Sequence, residues 1–459
     1  MLDPVLLSKL SLDQQNEISH LATRIPESDV IELARLVAEE VYDRSLNVRA
    51  LLKAVELVGP LAVDHGKRIW HYNNGVWLSD GIDEVTNRIS WIMDKRYKRD
   101  NVAQVVSLTN AWKPKVEGSG PSHLINVRNG MLNWKTGELE SHDANYFSTV
   151  QLLVSWNPEA TCPTIDAWFE ESIDKGIHDL LWQVAGVVWH PGMGFQKIIL
   201  LLGDGYNGKG TFLRLCQAAL PRSATCSVDP KLLAGNRFAS AEMFGKTANI
   251  VGDIYGGELY DTSNIKKITG DDVIHAERKM GHPFNFLSEC TNLWAGNKFP
   301  ESKDESLGWR RRWFIIPFTK EIKGKPNPDL EPRMHLELEG ALVKAVNGLR
   351  IAMEAGDFVS KSIPEHDVEF YEKVLRSEIL FFNEKLDFAD SHKTPIANIE
   401  LMRSYEIFCR SKGLKAVSRT AFYKSLEKHG TPHIQDRWIS SGEYRGRGYM
   451  GLAFKAPPV

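Results

Sequence analysis

The sequence predicts an α/β protein centred on a parallel sheet, with a mixed helix and strand region before it and a basic helix-and-hairpin module after it. Three observations carry this. From about Asp179, short apolar runs alternate with helical patterns, the order that generates a parallel sheet. The run Ile198–Leu202 passes directly into a glycine-rich stretch and then into the apolar helical pattern Phe212, Leu213, Leu215. Charge is also divided unevenly. The whole chain has 56 Lys/Arg against 59 Asp/Glu, a net −3, yet residues 401–459 hold 11 Lys/Arg and only 4 acids. That end is +7 and the remainder −10, the footprint of a polyanion-binding module on an acidic body.

At roughly 150 residues per domain, 459 residues make about three domains. Apolar residues are 42% and charged residues 25%, which excludes disorder along the whole length. The five cysteines, Cys162, Cys216, Cys226, Cys290 and Cys409, form no C-x-x-C pair. They provide neither a zinc ribbon nor a disulfide framework, and they fit a reducing compartment. No apolar run approaches the ~20 residues of a membrane span, and residues 1–11 do not read as a signal peptide. The expectation is a cytoplasmic protein of a bacterial host, with no membrane partner.

The elements follow in order. In residues 1–64, Val30, Leu33, Ala34, Leu36, Val37 and Val41 lie at helical spacing and predict one apolar stripe. Residues 65–178 are rich in tryptophan and in turn signals, Asn73-Asn74-Gly75, Asn129-Gly130 and Lys135-Thr136-Gly137. They predict short strands among helices. Residues 179–322 form the parallel-sheet block, closed by the polar loop at 323–328. Residues 323–386 are a helical connector with a helix over 336–353, and 387–459 are the basic module.

The local signal at 203–211 is chemical as well as structural. Gly203, Asp204, Gly205, Tyr206, Asn207, Gly208, Lys209, Gly210 and Thr211 follow an apolar strand and open a helix. Glycines let successive backbone N–H groups turn around phosphate oxygens, and the helix start adds its dipole. Lys209 supplies a charge for the β- and γ-phosphates and a hydroxyl nearby can ligate Mg²⁺. The motif expects Ser or Thr directly after the lysine; here that position is Gly210 and the hydroxyl is on Thr211.

A metal-binding acid is expected on a neighbouring strand, and Asp253 stands at the end of the apolar run 248–251. The nearest second acid is Glu258, so the identity of the water-activating base stays open. A third apolar run ends in Asn297, whose amide could orient water. Arg310, Arg311 and Arg312 lie between Trp309 and Trp313 ahead of another apolar strand, a pattern suited to charge-stabilising fingers at a subunit boundary.

Taken in this order, residues 203–213, 246–254, 261–272, 292–300 and 310–318 resemble the helicase part of the satellite-phage and poxvirus-type primase-helicases, within the superfamily-three helicases. Asn126-Val127-Arg128-Asn129-Gly130 and residues 156–163 are similar to the segment preceding the ATPase in that family. The resemblance covers about 65–380 and implies a ring-forming AAA+ P-loop ATPase, typically hexameric, moving 3′→5′ on DNA. By motif position it assigns ATP and Mg²⁺ to Lys209 and Thr211, the second motif to Asp253, the sensor to Asn297, and the neighbouring subunit's ATP to Arg311 and Arg312.

Between acid and sensor the family places a DNA-contacting hairpin. Residues 274–286 read as two short strands around Arg278, Lys279 and His282, cations suited to backbone phosphates. Larger relatives begin with a primase domain; about 60 residues precede the family block here, and no primase activity is expected.

The module 387–459 reads as a winged helix that binds duplex DNA. Leu401, Tyr405, Phe408 and Cys409 mark one helix and Ser418 caps a second, with Phe422 and Leu426 facing the core. A hairpin follows around 441–448. Arg419 and Lys424 belong to the helix that would enter a groove, Arg445 and Arg447 to the wing. The function expected is an ATP-dependent replicative helicase of a phage, plasmid or integrated element, with single-stranded DNA in the ring channel and host replication proteins as further partners. The alternatives are an origin-binding initiator whose ATPase is a switch, and an AAA+ remodeller that does not act on DNA.

Overall fold

In the computed structural model the chain forms two compact units, Met1–Ser362 and Ile363–Val459. The structure describes residues 3–42, 45–64, 66–116, 119–192, 195–203, 205–236, 238–254, 257, 259–270, 272–279, 283–300, 302–304, 306–320, 322, 327–360, 377–412, 416–441 and 444–455. Asp204, Glu258, His282 and most of the 323–328 loop lie outside them.

The expected N-terminal stripe is buried throughout, from Val30 and Leu33 to Val41. It is carried by the helix Glu27–Arg35, which continues through a wider π-type turn at Leu36–Glu40. The boundary expected at 64 is not a break in the core. Leu51 and Val55 share one apolar cluster with Val63, Ile69, Ile89 and Val105, because the helices Val48–Val58, Gly81–Met93 and Arg99–Trp112 pack together. Strands β1 (Leu61–Val63), β2 (Ile69–Asn73) and β3 (Val76–Leu78) form an antiparallel sheet. Asn74 and Gly75 join β2 to β3 with φ of 47° and 88°, the left-handed pair that a two-residue hairpin turn requires. A second antiparallel sheet follows: β4 (Leu124–Val127), β5 (Gly130–Asn133) and β6 (Leu139–Glu140).

The central sheet consists of β7 (Ile198–Leu202), β8 (Thr225–Cys226), β9 (Ala248–Val251), β12 (Thr291–Gly296) and β13 (Trp313–Pro317). Between β9 and β12 the chain makes a separate hairpin, β10 (Ile274–Ala276) with β11 (Phe284–Phe286). Every pairing in the five-stranded sheet is parallel and the order is β13-β7-β12-β9-β8. All five residues of β7 are buried, as expected of a strand covered on both faces. One expectation is corrected: the acid's strand does not neighbour the strand of the glycine loop, since β12 pairs with both and separates them.

The helix expected over 336–353 is present as Leu338–Ala355, and a short helix not foreseen, Leu330–Leu336, precedes it, with Glu337 between the two. The Glu337 carboxylate accepts from Thr164 N (2.8 Å), Ile165 N (3.2 Å) and Thr164 Oγ1 (2.6 Å). It therefore caps the first turn of the helix Pro163–Ser172, where negative charge is stabilising.

The second unit has its own core. Leu401, Tyr405, Phe408, Cys409, Phe422 and Leu426 are buried as expected, and Phe381, Phe382 and Leu386 join them. The helix Ser377–Lys385 thus belongs to this unit and not to a connector ending at 386. The helices Asn398–Lys412 and Arg419–Gly430 follow, the second capped by Ser418 Oγ accepting from Ala421 N (3.3 Å). Strands β14 (Leu386–Phe388), β15 (Ile396–Ala397), β16 (Gln435–Ser441), β17 (Tyr444–Met450) and β18 (Leu452–Phe454) complete it. A hairpin forms where one was expected, but residues 444–448, read as part of its loop, are strand in β17, and β18 leaves it to pair with β14. Among the described residues, no helix is long and apolar enough to cross a membrane.

Candidate functional site

The glycine loop sits at the carboxyl end of β7. In an open parallel sheet this edge is where ligands bind. Gly208, at φ 89°, turns the chain into the helix Lys209–Ala218. Lys209 is 7% exposed, and its Nζ donates to Gly203 O (2.7 Å) and Asn207 Oδ1 (2.9 Å). Asn207 is buried as well, and its Nδ2 donates to Phe318 O (2.8 Å) just past β13. Gly203 has no room for a side chain, since a Cβ there would lie 2.2 Å from Phe318 O. Tyr206 holds φ 59° with its ring exposed, and its carbonyl accepts from Ile322 N (2.9 Å). Thr211 is half-buried one turn into the helix, and its hydroxyl accepts from Arg214 Nη2 (3.4 Å). Arg214 Nε in turn donates to both carboxylate oxygens of Glu331 (2.7 and 2.8 Å).

Asp253 and Asn297 reach the same edge through β12. Gly203 N donates to Gly296 O (3.2 Å), one residue before Asn297. Ile254 N donates to Ala295 O (2.8 Å), one residue after Asp253. Both side chains are exposed, and neither has a hydrogen-bond partner among the described residues. Lys209, Thr211, Asp253 and Asn297, far apart in sequence, therefore border one sheet edge.

The three arginines are not equivalent. Trp309 and Trp313 are buried, their rings edge-on at 5.1 Å, and they anchor the short helix Leu307–Arg310. Arg310 and Arg311 are left exposed, with Arg311 Nη2 donating to Gln196 Oε1 (3.0 Å). Arg312 turns inward instead: it is 7% exposed and donates to Thr269 Oγ1 (3.0 Å), Lys266 O (3.1 Å) and Gly308 O. Burial, and then the Arg311 cation, lower its pKa, while Asp272 and Asp304 offset this. Arg311 and Arg312, expected to share one role, therefore differ in burial and in partners. Arg312 spends its donors within its own chain, whereas Arg310 and Arg311 stay at the surface.

On the β10–β11 hairpin Arg278 and Lys279 are exposed. The Arg278 guanidinium lies 5.8 Å from the Phe244 ring centre and 5.2 Å from that of Phe284. Burial lowers its pKa and the nearby Arg68 cation adds to this, with Asp64 opposing. Lys279 has no partner among the described residues.

In the second unit Arg419 begins the helix Arg419–Gly430, and Arg419 and Lys424 are exposed. Arg445 and Arg447 are exposed on β17, with Arg447 Nη1 3.4 Å from Asp436 Oδ2.

Residues 55–174 match the D5 N terminal like family. Residues 201–312, which hold the glycine loop, Asp253, Asn297 and Arg312, match a family of unknown function, DUF5906. No curated protein matches the chain. Three solved structures of the NrS-1 C terminal region, all apo, are similar at 9%, 11% and 12% identity. They cover 86–88% of this chain and 96–99% of theirs, with TM-scores of 0.41, 0.43 and 0.42. The D5 match falls on the segment that resembles the region ahead of the ATPase in the primase-helicases. It supports the relationship to a phage-type primase-helicase family.

Two parts of the site were not foreseen from sequence. Asn207 was expected to face a ligand; its amide also joins Lys209 to the Phe318 carbonyl at the end of the neighbouring strand β13. Arg214 stands three residues after Thr211, one helical turn on, which was visible; its partner Glu331, 117 residues later, carried no signal.

Proposed function

We propose that the chain is an ATP-driven DNA helicase of a phage, plasmid or integrated element, working in the cytoplasm of a bacterial host as a homo-oligomeric ring. The observation that carries this is the lysine-bearing glycine loop on the sheet edge that Asp253 and Asn297 also border. Lys209 now rests on two oxygens of its own loop, and phosphate oxygens would take their place with a stronger, charge-assisted bond. Thr211 and Asp253 supply a hydroxyl and a free carboxylate, hard oxygen donors that fit Mg²⁺, which takes few protein ligands beside substrate phosphates. When bound, the ion supplies charge neutralisation at the β- and γ-oxygens. Asn297 is set to orient the attacking water. Arg311, exposed just ahead of β13, would reach the ATP of the adjacent copy, in a hexamer by the family resemblance.

Arg278, Lys279 and His282 would follow single-stranded DNA in the channel, with 3′→5′ movement taken from the same resemblance. The C-terminal unit is read as a winged helix: two helices, the second capped at Ser418, then a hairpin carrying Arg445 and Arg447. Unwinding of a forked duplex by the purified chain tests the proposal. Strand separation with ATP and none with a non-hydrolysable analogue is the expected result. Hydrolysis without any unwinding would favour an origin-binding initiator instead.

A further inference from the structure

Trp438 is the most exposed of the 13 tryptophans, at 70%. Tryptophan is strongly buried on average and its ring is a large apolar surface, so an indole left in water on a regular strand invites a partner. The β16–β17 register sets that partner's chemistry. Trp438 stands directly opposite Arg447, and Ser440 opposite Arg445, so the indole and both guanidinium groups share one face of the hairpin. Two residues nearer its base the same face is seated on the helix Arg419–Gly430. There Tyr449 stacks on Tyr423 at 6.1 Å and its hydroxyl donates to Glu427 Oε1 (2.8 Å). The opposite face supplies buried Ile439. The hairpin's packing is thus complete without Trp438.

We propose that Trp438, flanked by Arg445 and Arg447, is a stacking platform for an unpaired nucleobase. An indole ring beside cations is the recurring solution for single-stranded nucleic acid: the ring takes the base and the cations take the backbone. Arg445 has no acidic partner among the described residues, and Asp436 Oδ2 lies 3.4 Å from Arg447 Nη1. Arg445 therefore keeps its charge for a phosphate. An intact duplex offers no free base plane, so the platform distinguishes frayed or forked ends from closed duplex. This inference rests on the reading of the C-terminal unit as DNA-binding.

The test measures binding of the full chain, without ATP, to a blunt duplex and to the same duplex with two unpaired nucleotides at one end, too short to thread a channel. Wild type should prefer the frayed duplex. Trp438→Ala should lose that preference, weakening frayed-end binding by roughly 5- to 100-fold, and leave blunt duplex unchanged; Trp438→Phe should keep most of it. Equal weakening on both DNAs, or no change on either, overturns the platform while the DNA-binding reading stands, the second result pointing to a protein partner for this face. Failure of wild type to bind either duplex would overturn the DNA-binding reading and the platform with it.

Discussion

Asn207 donates from Nδ2 to the carbonyl oxygen of Phe318 across 2.8 Å while its Oδ1 accepts from Lys209. One amide so ties the glycine loop, its lysine and the end of β13 together. Asn207→Ala should lower stability by about 1–3 kcal/mol, the usual range for losing buried hydrogen bonds of which one is to a charge. It should also slow ATP turnover, because Lys209 loses its lateral guide. Denaturant titration and a steady-state phosphate-release assay measure the two effects.

Arg311 and Arg312 should part ways. Lys209→Ala is expected to reduce hydrolysis by roughly 10²–10³, and Arg311→Ala by more, since fingers supplied in trans contribute about 10³–10⁵. Mixing the two variants should recover activity above their sum, because some boundaries combine an intact loop with an intact arginine. Arg312→Ala should instead unfold more easily, by about 3 kcal/mol, since Thr269 Oγ1 and the Lys266 and Gly308 carbonyls each lose a charged donor. If Arg312→Ala complements Lys209→Ala and Arg311→Ala does not, the separation drawn here is wrong.

Lys279→Ala should leave basal hydrolysis intact and reduce unwinding. Its neighbour Arg278 packs on Phe244 and Phe284, so Arg278→Ala should cost about 0.5–2 kcal/mol of stability in addition. Parallel ATPase and fork assays separate a DNA contact from a structural one.

Acid should weaken the region around Arg312 through Asp304. Burial alone raises the Asp304 pKa, but bonds from Lys266, Ser306 and Thr262 outweigh it and hold the carboxyl well below the ordinary range. A folded-state pKa below the unfolded value of about 4 gives stability that is complete above it and is lost as pH falls further. Thermal melts should therefore show a smaller loss from pH 6 to pH 3 in Asp304→Asn than in wild type.

Sequence preference should lie with the helix Arg419–Gly430. Arg419→Ala should reduce discrimination for a cognate site by about 1–3 kcal/mol. Arg445→Ala should weaken every duplex alike and flatten the salt dependence. A chain ending at Ser362 should keep hydrolysis and lose duplex binding. One ending at Leu386 should aggregate, because Phe381, Phe382 and Leu386 lose the core that covers them.

The sequence by itself determined the elements whose causes are local. The all-buried strand β7, the glycine loop with Lys209, the Val30–Val41 stripe, the Asn74-Gly75 hairpin and the Ser418 cap each follow from spacing, a φ preference or a side chain within three residues. Asp253, Asn297 and the arginines were likewise legible as candidates, because each stands where an apolar strand pattern begins or ends. Tertiary structure alone decided how these parts meet. Strand order put β12 between β7 and β9, since parallel strands joined by long crossovers are free to insert between earlier ones. The pull of Thr269 and Lys266 on one guanidinium separated Arg312 from Arg311, two residues with the same local pattern. Glu337, just ahead of one helix, caps another 173 residues away, and Phe381 and Phe382 joined a core built from residues after them. In each case the deciding partner lies far along the chain, where neither periodicity nor turn chemistry carries its imprint.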